Sequence, residues 1–149
     1  RGVDVDVTAL ERDLIRRKSR LILENLGALK GIREKGIEAY RADLLHRKAA
    51  ERLLQETIEA ALDINAHILS QSGPGLPEDY FESFVLLGNS GVLPQDLARS
   101  LAPAAGLRNR LVHEYDALDD TIIFESIGTA LRLFPAYVKA VETFLDSRE

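Results

Sequence analysis

An arginine, an asparagine, a histidine and a tyrosine lie within the run RNRLVHEY at residues 108–115, side-chain types that can act on a phosphodiester. On a helical wheel with Arg108 at zero and a turn of about 100° per residue, Asn109 lies at about 100° and His113 at about 140°. The three therefore open as a polar arc that can line one side of a groove. Leu97, Leu101, Ala104, Leu111 and Tyr115 fall within about 60° of Arg108, which sets the guanidinium along an apolar stripe. A charge there is costly unless it is paired, or unless the stripe faces a cleft or a second subunit. The arc suits RNA cleavage without a metal: histidine moves protons near neutral pH, and an always-charged guanidinium stabilises charge on phosphate. The neighbouring 2′-hydroxyl of the RNA would be the nucleophile, so the protein need supply none. Asn109 would orient the histidine or the phosphate. One histidine is half of an acid–base pair, and a two-fold dimer placing His113 of each subunit across one groove would supply the other half.

Each of these residues also has an ordinary structural role. Arg108 can be a partly buried arginine paired with a carboxylate such as Glu51 or Glu59. His113 can be a helix C-terminal residue favoured by the macrodipole, and Tyr115 a packing tyrosine with its hydroxyl at the surface. His46 and His67 read as surface or capping residues. The chain has no cysteine, and its three histidines lie far apart without a two-histidine ligand spacing. Thiolate nucleophiles and disulfides are excluded, and neither a metal site nor a cofactor is expected.

The elements that must position the arc read as helices. Leu10, Leu14, Leu21, Ile22, Leu26 and Leu29 mark one helical face after a cap at Thr8 or Asp6, ending near Gly31. A second, long helix runs from Ile37 or Tyr40 to Leu69 and stops at the cluster Ser70–Gly75. A short helix is expected from Glu78 to Leu87, with a break at Gly88–Gly91. A fourth spans Gln95 to Tyr115, bent or divided at Pro103 and Gly106. Asp119 or Asp120 caps a last helix with Ile123, Ile127, Leu131, Phe134, Val138, Val141 and Leu145 on its apolar face and Pro135 as a possible kink. The expectation is an all-α bundle of about five helices, two of them long, forming one domain over residues 1–149 with residues 1–7 as a flexible N-terminal end.

Hydrophobic residues make up 46 % and charged residues 29 % of the 149, a balance that points to a folded, soluble domain, with the cytoplasm as the default compartment because no signal segment or membrane span is read. Charges interrupt every apolar stretch before the roughly 18 residues that cross a bilayer, so no membrane association is expected. A formal net charge of −5 argues against non-specific coating of nucleic acid, which requires an electropositive surface. Any nucleic-acid role must come from a local patch.

Arginine, four residues, histidine, one residue, tyrosine is the pattern in which Arg108, His113 and Tyr115 stand, with Asn109 as the small polar residue after the arginine. The run GLRNRLVHEY resembles the motif of the HepT group of toxins within the HEPN superfamily. The run ALDINAHIL at 61–69 is similar to that family's corresponding segment, with an altered order around Asn65 and Ala66, and Asn65 is assigned no role. The resemblance implies a HEPN-type bundle acting as a homodimer with the two motifs in one cleft, and metal-independent RNase activity on tRNA or mRNA. It also implies a partner encoded nearby that is similar to MntA, a minimal nucleotidyltransferase that silences the toxin by attaching AMP to the motif tyrosine, here Tyr115. The leading reading is thus a ribonuclease toxin with Arg108 and His113 catalytic and Asn109 supporting. A catalytically inactive module that binds a nucleotidyltransferase or nucleic acid is the alternative, and a structural helical adaptor a third; the acidic balance favours these two, the motif the first.

Overall fold

The computed structural model describes residues 8–70 and 79–148. Among them are seven α-helices and no strand: α1 (Ala9–Glu34), α2 (Ile37–Ala42), α3 (Leu44–Ser70), α4 (Tyr80–Asn89), α5 (Gln95–Leu101), α6 (Ala104–His113) and α7 (Asp120–Asp146). The all-α class holds, with seven helices instead of five and three long ones instead of two. The expected flexible end at 1–7, the cap at Asp6, the helix start at Glu78 and all but the first residue of the Ser70–Gly75 stop lie outside the described residues.

The differences have local causes. Helix α1 starts on a capping box in which Thr8 Oγ1 accepts from the Glu11 amide at 3.1 Å and Glu11 Oε1 from the Thr8 amide at 3.3 Å. It runs past Gly31, because the stop needs a left-handed residue and Gly36, at φ +90°, supplies it. The single helix expected from about residue 37 to 69 is divided at Asp43, whose backbone is extended. The Asp43 side chain then accepts from the His46 amide at 3.1 Å and restarts the chain as the cap of α3. That backbone hydrogen bond holds the Asp43 carboxyl below its ordinary pKa, so the cap's contribution is present above the ordinary value and is lost as pH falls through the lowered one.

The fourth expected helix also divides. Pro103 cannot donate within a helix, and the chain breaks at Ala102–Pro103 while Gly106 lies inside α6. Helix α6 ends at His113, since Glu114 leaves helical geometry at φ −124°, ψ 31°. Tyr115 therefore sits in the following turn and not on the stripe with Leu111: it is 65 % exposed where Leu111 is buried. Helix α7 is capped by Asp119, which accepts from the Thr121 and Ile122 amides, and runs unbroken through Pro135 on its exposed side.

Helix α3 is central and packs against α1, α4, α6 and α7. Its buried face carries Leu54, Ile58, Ala61, Ile64 and Ile68. The face of α1 turned towards it carries Ile15, Ile22, Leu26 and Leu29, so Leu10 and Leu21, expected on that stripe, remain exposed. Phe84 of α4 and Phe134 of α7 each meet the Tyr137 ring edge-on at 6.0 Å, closing the core beneath α4. No described helix is long and apolar enough to cross a membrane.

Candidate active site

Arg108 is held from three sides. Its Nε donates to Glu59 Oε2 of α3 at 3.1 Å, its Nη1 to Asn109 Oδ1 at 3.4 Å, and the guanidinium lies 5.4 Å from the centre of the Tyr80 ring of α4. Gln55 Nε2 donates to the same Glu59 oxygen at 3.3 Å. Of the two carboxylates the sequence offered as partners, packing selects Glu59. Of the ways to offset a charge on the apolar stripe, pairing with a carboxylate is therefore met within one chain. A carboxylate and an aromatic face fix the plane of the fork, and among the described residues two of its five N–H groups have acceptors.

Asn109 is exposed beside Arg108 and borders an open groove of about 590 Å³ with Asp79, Tyr80, Phe81, Ala105 and Gly106. His113 is exposed at the last position of α6. Arg108 and Asn109 are brought together, whereas no contact among the described residues joins His113 to Arg108. The two directions differ by about 140° on the helix, the spread expected from the wheel. Tyr115, in the turn beyond, is well exposed. Tyr40 and Tyr137 are buried; burial is the main cause that raises the pKa of both hydroxyls, Glu51 and Asp120 adding to it at Tyr40. His46 lies 3.2 Å from Asp43 and His67 3.9 Å from Glu11, both away from α6. Among the described residues no group of three or more His, Asp or Glu side chains could hold a metal ion.

The residue that sequence reasoning left without a role is Asn65, fully buried in α3. Its Oδ1 accepts from the Tyr137 hydroxyl at 2.6 Å and its Nδ2 donates to Ser83 Oγ at 3.0 Å, while Ser83 Oγ donates to the Tyr80 carbonyl at 2.8 Å. This chain of bonds ties α7 and α3 to the first turn of α4, the turn that places Tyr80 against Arg108. The signal in the sequence was an asparagine at an apolar helical position, which must be paired if it is buried. Asn65→Ala should lower stability by about 1–3 kcal/mol, because it removes one partner from each of two buried hydroxyls, and Tyr137→Phe by a similar amount, because it leaves the buried Asn65 Oδ1 without its donor and also ends the hydroxyl's bond to the Ala61 carbonyl at 3.0 Å. Urea unfolding measures both; equal stability of Asn65→Ala and the parent would show that the network does not brace α4.

The structure places the residues that carry the resemblance on one helix and the turn after it: Arg108, Asn109 and His113 on α6, and Tyr115 just beyond. The model of the family described as "Ribonuclease HepT-like" matches residues 22–141, and the chain belongs to that family of ribonucleases. It is similar to the tRNA nuclease HepT of Aphanizomenon flos-aquae, with 38 % identity over 96 % of this chain and 97 % of that protein. The mRNA nuclease HepT of Shewanella oneidensis is 33 % identical over 60 % of this chain and 67 % of its own length. Among solved structures, a tri-AMPylated HEPN toxin of Shewanella oneidensis in complex with MNT antitoxin superposes with a TM-score of 0.79 at 27 % identity, over 88 % of this chain and 98 % of that one.

Proposed function

We propose that this chain is the toxin of a toxin–antitoxin pair: a single-domain, cytoplasmic RNA endonuclease that works as a homodimer without a metal. Arg108 binds and stabilises the charged phosphate, His113 transfers protons, Asn109 orients them, and the RNA's own 2′-hydroxyl attacks, so that cleavage leaves a cyclic phosphate. The substrate is tRNA or mRNA. An MntA-like nucleotidyltransferase silences the toxin by transferring AMP from ATP to the Tyr115 hydroxyl, with release of pyrophosphate.

The observation that carries this reading is the state of α6: a guanidinium aimed by Glu59 and Tyr80 with N–H groups to spare, and an exposed histidine at the helix end. The separation of His113 from Arg108 within one chain supports the dimer, in which a second α6 completes the groove. One observation favours the non-cleaving module instead. The Glu59 carboxylate beside Arg108 opposes an incoming phosphate, so the arginine serves packing unless the RNA outcompetes that repulsion.

Purified protein should cut RNA in EDTA to products with cyclic phosphate ends and elute as a dimer by size exclusion with light scattering. A monomer at high micromolar concentration would defeat the shared groove. RNA that is bound but stays intact would leave the module.

A further inference from the structure

We propose that Phe81 and Tyr80 of α4, together with Gly106 and Asn109 of α6, form a subsite for one unpaired nucleobase of the RNA, next to the phosphate position at Arg108. The inference rests on the ribonuclease reading and adds where the substrate is gripped. Tyr80 and Phe81, consecutive in α4, are 48 % and 52 % exposed, and both border the groove that Asn109 lines. Apart from Tyr115, they are the exposed aromatic side chains among the described residues. One partner for Tyr80 is the Arg108 guanidinium, whereas no ring or cation among the described residues covers Phe81.

Single-stranded RNA is held by splaying bases onto aromatic faces and guanidinium planes, and every base has a π-face to offer. A base on Phe81 would have beside it the Asn109 amide, which can both donate to and accept from a base edge. Hydrogen bonds brace the platform from within the chain. Asp79 Oδ1 accepts from the Glu82 amide at 2.7 Å, and the bonds through Ser83 and Asn65 fasten the same turn to the core. Little ordering is then needed on binding. The groove is open at Gly106, where a Cβ added to the backbone would meet nothing within 4 Å.

The test uses the His113→Ala protein, which keeps the RNA intact, and fluorescence anisotropy with labelled single-stranded oligoribonucleotides, complete or with one abasic position moved along the strand. One abasic position should weaken binding, and Phe81→Ala should weaken binding of the complete strand by about 5- to 140-fold without weakening that abasic strand further. Gly106→Gln, whose Cβ meets nothing within 4 Å and whose longer side chain projects from the groove lining, should do the same, and Phe81→Trp should restore affinity. Unchanged affinity in both Phe81→Ala and Gly106→Gln, or an equal loss with the complete strand and every abasic one, would overturn the subsite. So would dissociation of the dimer in Phe81→Ala, which would assign the rings to a subunit contact. If the wild type cuts RNA while both variants bind like their parent, the subsite alone fails; if the wild type neither binds nor cuts RNA, the ribonuclease reading fails with it.

Discussion

His113→Ala is expected to slow RNA cleavage in EDTA by a factor of about 100 to 10,000, the range for loss of a positioned acid–base group, with helical circular dichroism unchanged. The residue is exposed at the end of α6, so its removal leaves no cavity and strands no buried partner. Arg108→Ala should abolish cleavage to a similar degree, for a different reason: it removes the charge that stabilises the phosphate in the transition state. It also leaves Glu59 without its cation, but that carboxylate's side chain is 34 % exposed and stays hydrated. Arg108→Lys keeps the charge and loses the planar fork that spans Glu59 and the Tyr80 face, so it should recover only part of the rate. Single-turnover cleavage of end-labelled RNA reads all three variants. Equal cleavage by wild type and His113→Ala would point to a contaminating nuclease and put the non-cleaving module ahead.

Co-expression with an MntA-like nucleotidyltransferase is expected to add AMP-sized increments to the intact mass, to suppress cleavage, and to do neither in Tyr115→Phe. Tyr115, at 65 %, is the most exposed of the four tyrosines. Tyr40 and Tyr137 are buried, and Tyr80 shares one face with Arg108. The turn between α6 and α7 presents the Tyr115 hydroxyl to another enzyme two residues from His113. Each added phosphodiester brings negative charge and bulk to the end of the groove, where it can occupy Arg108 and repel RNA. Tyr115→Phe should retain RNase activity and escape silencing. Increments that persist in this variant, or that map by peptide fragmentation to Tyr80, would reject Tyr115 as the acceptor.

The reach of the sequence is visible at particular residues. The Thr8–Glu11 box, the Asp119 cap and the long apolar stripe from Ile123 to Leu145 specify where α1 and α7 begin and which face of α7 is buried. All of these signals act within a few turns of helix. The motif at 108–115 and its placement at a helix end were equally legible. Asp43 was harder to read, because Leu44 and Leu45 continue a helical pattern across it, and they turn out 55 % and 78 % exposed. Tyr115 misled for the same reason: it stands four residues after buried Leu111, but the helix stops two residues before it.

By itself the sequence determined an all-helical chain, its family motif and the residue types available for RNA chemistry, since helical periodicity, caps and motif spacing are local properties of the chain. Only the tertiary structure decided that Arg108 pairs with Glu59, 49 residues away, that Asn65 joins Ser83 and Tyr137, and that Phe81 faces the groove beside Asn109. A buried polar group must find a partner, but which partner it meets is set by which helices pack against α3. That choice is made by the burial of side chains far apart in the chain, and no local pattern encodes it.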